Sequence, residues 1–229
     1  MCGRFVLISD LAEVTGAFPV EEVSGPPRRS FNIAPGSPVS VILLDEMRKL
    51  ALLPWGYPLP WTGGTFSGKT LINARAETAA VKPAFRKSFL ERRCLVLSNG
   101  YYEWKKEGKT KIPYFIHLAG KRIFAFAGIF NRRGPGDAPG VAILTTGPAP
   151  AVERIHDRMP VILTGEAALR WIEPSAGGGD FLRSLLGPYR GGDLSAYPVS
   201  PYVNLPAHDS PACIDPVEPG DPGRHPRTV

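Results

Sequence analysis

Residues 94–104 read CLVLSNGYYEW. An apolar run ends at the Asn99-Gly100 pair and is followed by an aromatic run that carries a single carboxylate, Glu103. Apolar and aromatic stretches of this length, divided by an Asn-Gly pair, read as two strands with a turn between them. The same punctuation recurs on both sides. Short apolar or β-branched runs at 4–8, 40–44, 113–118, 123–130, 141–146 and 161–163 alternate with turn residues, and 48–53 returns as a hairpin after Asp45 and Glu46. With 25 Gly and 25 Pro in 229 residues, the chain is broken too often for long helices. An α+β fold that is mainly β is expected, with helices few and short. One starts at Asp10, whose carboxylate lies three residues before Glu13 in a capping arrangement, with Leu11, Val14 and Phe18 on one face. Others are expected at 83–92, 164–171 and 180–186.

Composition narrows the class further. At about 150 residues per domain the chain is one large domain or two small ones, and 43% hydrophobic residues exclude wholesale disorder. No run nears the roughly 18 apolar residues of a membrane span, and MCGRF has no leader pattern. The expectation is a soluble cytoplasmic protein, monomeric by default, with no membrane partner. Cys2, Cys94 and Cys213 are odd in number and far apart, which disfavours a disulfide framework or a zinc site. No metal and no cofactor is expected. Residues 206–229 hold six Pro and two Gly with almost no large apolar side chain, so the ordered domain is expected to span 2–205 and the tail to be disordered. The 27 Lys and Arg against 21 Asp and Glu, net +6, favour an anionic partner.

Several residue groups could carry chemistry. Removal of Met1 would leave Cys2 at the terminus, with an α-amine of pKa about 8 and a thiol of about 8.5 on one skeleton. Such a 1,2-aminothiol condenses with an aldehyde to an imine, and its sulfur then closes a thiazolidine ring; alternatively Cys2 is only a small residue at position 2. Asn73, Arg75 and Glu77 in LINARAET share one face if the segment is extended. Arg75 suits a phosphate and Asn73 a carbonyl or hydroxyl, or the three form a solvated edge. Trp55 and Trp61 are stacking platforms for unpaired bases if exposed and core residues if not. Lys82, Arg86, Lys87, Arg92 and Arg93 form either a phosphate-tracking surface or a solvated helix face. Between Tyr102 and Trp104, Glu103 is either a desolvated proton carrier or a side chain turned to water. His156, in IHDRMPVIL, is the histidine best placed to titrate near neutral pH. His208 and His225 fall in the tail and His117 in a regular strand.

Taken together, MCGR at the start, FNIAPG at 31–36, LLPWG at 52–56, INARAET at 72–78, RRCLVLSNGYYEW at 92–104, FAGIF at 126–130 and IHDRMPVIL at 155–163 resemble the SRAP family, named for SOS-response-associated peptidase. The resemblance implies a single domain whose curved sheets form a barrel-like core beside a basic groove. It also implies a protein of the DNA damage response, nucleoid-associated when bound, that joins itself covalently to abasic sites in single-stranded DNA. Cys2 then matches the nucleophile, Asn73 the residue that positions the sugar, Glu103 the proton shuttle for the terminal amine, and His156 the acid/base group at the sugar ring. Arg4 and Arg75 match phosphate contacts, and Thr145 and Arg158 match positions beside the lesion. GYPLPW at 56–61 departs from the usual GLIPxW pattern.

Two other classes compete. Cys2, His156 and Glu103 could form a cysteine peptidase site, or the chain could be a non-catalytic single-strand binder. Turnover of unrelated peptides, as against removal of Met1 alone, distinguishes the peptidase. Indifference to loss of Cys2 distinguishes the binder.

Overall fold

The structure is a computed structural model and describes residues 2–59, 70–132, 139–174 and 178–218. Strands dominate, as the turn density requires, and they form two main sheets. The smaller is ordered Leu194–Pro198, Thr110–Leu118, Gly100–Glu107, Phe5–Leu7, Ser30–Ile33. The larger runs Met159–Pro160, Gly140–Thr146, Phe124–Asn131, Arg93–Ser98, Pro38–Leu44, Arg48–Pro54, Glu22–Val23. Asn73–Arg75 lies parallel to Gly140–Thr146, and Ile162–Leu163 pairs with Phe124–Asn131.

The two strands read from CLVLSNGYYEW exist, but they are not partners. Arg93–Ser98 pairs within the larger sheet, and Gly100–Glu107 pairs with Phe5–Leu7 and Thr110–Leu118 in the smaller. Asn99 is therefore the corner at which the chain changes sheets. Its buried amide replaces the ladder bonds lost there. Oδ1 accepts from Ile8 N–H at 2.9 Å and Ser9 N–H at 3.1 Å, while Nδ2 donates to Ser9 Oγ at 3.0 Å and Lys121 O at 2.9 Å. Gly100 follows because a Cβ there would stand 2.4 Å from the Phe115 ring and 2.8 Å from Ile116 O.

Phe5, Trp55, Tyr101, Phe124 and Phe126 fill the space between the sheets with edge-on ring contacts, among them Phe5–Trp55 at 5.1 Å and Phe5–Phe126 at 5.6 Å. The outer face of the smaller sheet is also covered: Val6, Tyr102 and Phe115 pack with Val199, Val203, Cys213 and Ile214. Residues 206–218, which composition assigns to the tail, are placed on this face. Few apolar side chains sufficed, because Cys213 and Ile214 find a ready apolar face, and Asp209 Oδ1 accepts from Phe31 N–H at 2.6 Å on the edge strand Ser30–Ile33. His208, also assigned to that tail, stacks on Tyr202 with centroids 3.7 Å apart. Residues 219–229, with His225, lie outside the described residues.

The sheets do not close into the expected barrel. Each remains an open ladder, and the two-residue end strands of the larger sheet offer too few ladder bonds to bridge to the other. The first helix, Leu11–Ala17, has the reciprocal Asp10–Glu13 capping box. Pro83–Glu91 and Gly165–Ile172 also form, within a residue or two of expectation. Among the described residues no helix is long and apolar enough to cross a membrane.

Asn99→Ala would strand the Ile8 and Ser9 N–H groups and is expected to cost on the order of 3 kcal/mol. Gly100→Ala would overpack the same corner by about 1–3 kcal/mol. Urea unfolding of the two variants measures both losses.

Candidate functional site

Crossing between sheets at Asn99 determines where the next side chains go. Tyr101 turns to the interior and Tyr102 to the second cluster; Glu103 follows Tyr101 by strand alternation. Because both faces of the sheet are covered, Glu103 is buried, at 3% exposure, and the water-facing reading is excluded. Burial raises its carboxyl above the ordinary range; His156 works against that rise and Asp157 adds to it.

Four sequence-predicted residues meet here. Asn73 Nδ2 donates to Cys2 O at 2.7 Å, which ties the strand Asn73–Arg75 to the N-terminal segment. Asn73 Oδ1 is buried and has no hydrogen-bond partner, so an acceptor remains beside residue 2. Glu103 Oε2 lies 3.8 Å from His156 Nε2. On the other side of the imidazole, Nδ1 accepts from Arg158 N–H at 3.0 Å and lies 2.8 Å from Asp157 Oδ1. Nδ1 thus stands between a donor and an acceptor: without a proton it accepts from the Arg158 N–H, and with one it donates to the Asp157 carboxylate.

Cys2 is fully buried, and its Sγ lies 3.8 Å from Arg4 O. Burial first, then the nearby Glu103 charge, push its thiol far above the ordinary value. The sulfur is thus held as a neutral thiol, the opposite of the electropositive setting that makes a reactive thiolate.

The expected arginines divide. Arg158 is held in place by a bidentate pair with Glu77, at 2.6 and 2.9 Å, and by Thr145 O at 2.5 Å. Its hydrogen bonds hold Glu77 below the usual carboxylate range. Thr145 is buried and lies in register with Arg75. Arg75 itself is exposed, at the end of its strand. Glu77 does not share that extended face, because a helix, Ala76–Ala79, begins first. Arg4 is half-buried and engages Asn32 Oδ1 at 2.7 Å and Val203 O at 2.9 Å. Arg86 stands exposed on Pro83–Glu91. Arg93 is not part of a surface: its buried guanidinium donates to the Trp171, Phe89, Leu90 and Glu173 carbonyls.

Trp55 is not a stacking platform. It is fully buried, with Nε1 donating to Ile72 O at 2.9 Å. Trp61 lies outside the described residues. The aromatic that does border the site is half-buried Trp104, whose Nε1 donates to Asn204 Oδ1 at 2.8 Å. With Glu103, His156, Ile155, Lys106, Lys111 and Asn204 it lines an open groove of about 550 Å³. Sequence reasoning used Trp104 only as a neighbour of Glu103. The two-residue steps from Tyr102 to Trp104 to Lys106 were the available signal. Tyr101 was also missed: its buried hydroxyl has no hydrogen-bond partner, and burial, then Cys2 and Glu103, keep it un-ionised. Among the described residues no three His, Cys, Asp or Glu gather to hold a metal.

A two-sheet α+β fold thus brings a cysteine, an amide, a carboxylate and an imidazole together, with the carboxylate and imidazole lining an open groove. The family described as SOS response associated peptidase (SRAP) matches residues 1–206, and the chain belongs to it. The abasic site processing protein YoqW of Bacillus subtilis (strain 168) is 40% identical over 222 residues, covering 94% of this chain and 99% of that one. YedK of Escherichia coli (strain K12), of the same description, is 33% identical over 229 residues, covering 95% of this chain and all of that one. Among solved structures, a protein from Bacteroides thetaiotaomicron superposes with a TM-score of 0.82 at 25% identity, covering 95% of this chain and 100% of that one.

The raised Glu103 carboxyl has a thermodynamic signature. A carboxyl whose folded value exceeds its unfolded value stabilises the fold when protonated, and that contribution is lost as pH climbs through the folded value. Glu103→Gln is therefore expected to raise the melting temperature at about pH 8, with the gain shrinking towards about pH 4. Melting curves across that range measure it.

Proposed function

We propose that this protein recognises abasic sites in single-stranded DNA and links itself to them through Cys2 once Met1 is removed. The observation that carries the reading is the 2.7 Å bond from Asn73 to the Cys2 carbonyl, in a site where Glu103 and His156 stand 3.8 Å apart. The description of relatives as abasic site processing proteins supports the same substrate.

The chemistry follows from the groups. An abasic deoxyribose in its ring-opened form presents an aldehyde. The freed α-amine of Cys2 adds to that carbon, and loss of water gives an imine. The Cys2 sulfur then adds to the imine carbon while its proton passes to the nitrogen, closing a five-membered thiazolidine; aldehyde and aminothiol yield adduct and one water. Glu103 shuttles protons at the amine, and its raised carboxyl suits that role at neutral pH. His156 supplies acid and base to the sugar ring, and the free Asn73 Oδ1 accepts from a sugar hydroxyl or the amine. Because the thiol is buried and neutral, the amine reacts first and the sulfur second. An imine that persists next to the β-phosphate also permits elimination, giving a weaker strand-cleaving lyase activity. Arg75, exposed beside the cluster, is the simplest phosphate contact.

A cysteine peptidase acting on other proteins is less well supported, since burial and Glu103 both suppress the Cys2 thiolate that such an enzyme needs. Self-removal of Met1 is compatible with the scheme.

Incubation with single-stranded DNA bearing one abasic site, followed by denaturing electrophoresis and intact mass, tests the reading. The expected product is a stable adduct with the mass of protein lacking Met1 plus DNA less one water. Cys2→Ala should reduce it to background and Cys2→Ser to a reversible trace. An undiminished adduct from Cys2→Ala would overturn the mechanism.

A further inference from the structure

The strand that delivers Glu103 continues outward as a hairpin with 105–111, KKEGKTK, at its tip. Gly108, at φ +59°, makes the turn. The register sets Lys106 directly opposite Lys111. Two like charges facing each other across an antiparallel pair destabilise it, and here nothing relieves them. The one acid within 105–111, Glu107, is taken by Lys105 at 2.6 Å, and among the described residues no carboxylate forms an ion pair with Lys106 or Lys111. Arg154, in the loop leading to His156, adds a further positive charge near Lys105.

The pair is also placed. Trp104 and Lys106 lie on one face of their strand about 6.8 Å apart, the scale of one extended nucleotide, and Lys106 and Lys111 line the same groove as Glu103 and His156. A strand whose damaged sugar sits at Glu103 and His156 therefore has an aromatic surface next to it and a doubled cation beyond.

We propose that Lys106 and Lys111 form a phosphate clamp for the single-stranded flank of the bound DNA, a cross-strand cation pair whose repulsion is relieved when a phosphodiester enters between the ammonium groups. This rests on the DNA-lesion reading above and adds to it a strand-guiding surface outside the reacting centre. The clamp has one position on the groove, so it engages the strand on one side of the lesion only.

The test uses intact single-stranded oligonucleotides without any abasic site, so its outcome does not depend on adduct formation. Binding of the wild type and of the K106Q/K111Q protein is measured across a range of salt concentrations. One phosphate held on a single strand corresponds to a decrease of about 0.7 in the slope of log K against log [salt]; K106R/K111R should keep the wild-type slope. With an abasic site at either end of the oligonucleotide, the Gln variant should weaken binding for one polarity only. Equal slopes for wild type and K106Q/K111Q would overturn the clamp, as would equal losses for both polarities. Wild-type binding to intact strands without adduct formation on abasic ones would leave the clamp standing and defeat the cross-linking chemistry instead.

Discussion

The fold and the site both depend on the buried amide of Asn99. At a strand corner, backbone groups lose their ladder partners, and buried groups left unpaired cost about 1–3 kcal/mol each. Asn99 answers this by binding two N–H groups of the N-terminal segment through Oδ1 and two acceptors through Nδ2. The same bonds that let the chain leave the larger sheet also hold the segment following Phe5–Leu7 against the smaller one. The strand that carries Glu103 thus lies beside the strand that follows Cys2.

A sheet covered on both faces explains why ionisable groups here behave unlike surface ones. Glu103 cannot escape to water on either side, so its carboxyl rises. Arg93 faces the same exclusion and is stabilised by helix-end carbonyls instead, the electronegative pole of a helix standing in for a counter-ion. Both are buried charges, but one is fully ligated and the other stands beside a groove where protons can come and go.

Much of this was legible in the sequence. Strand existence followed from alternation and Gly/Pro punctuation, and the Asp10–Glu13 box from its spacing. The pairing of CLVLSNGYYEW was not legible, because an Asn-Gly step marks a hairpin turn and a sheet-to-sheet corner alike, and only long-range contacts decide between them. Trp55 was ambiguous for a related reason: a proline-rich surrounding does not reveal that Phe5 and Ile72 O await the indole. Composition measures average hydrophobicity, and so it gave no sign that two residues of the expected tail, Cys213 and Ile214, pack on a specific apolar face. Cys2, Asn73, Glu103 and His156 were named in advance, yet the full burial of the Cys2 side chain was not legible, because it depends on contacts far away in the chain.

The ends of the chain are interlocked. Arg4 is held by carbonyls at Val203 and Asn204, and Asn32 donates to Val203, Leu205 and His208. During synthesis a chain leaves the ribosome from its N-terminus at about 5–20 residues per second, so residue 2 emerges first and the carbonyls that frame its neighbourhood emerge last. The bonds of Arg4 and Asn32 to residues 203–208 therefore form only after nearly all of the intervening strands have been made, which makes this clasp a late step in folding.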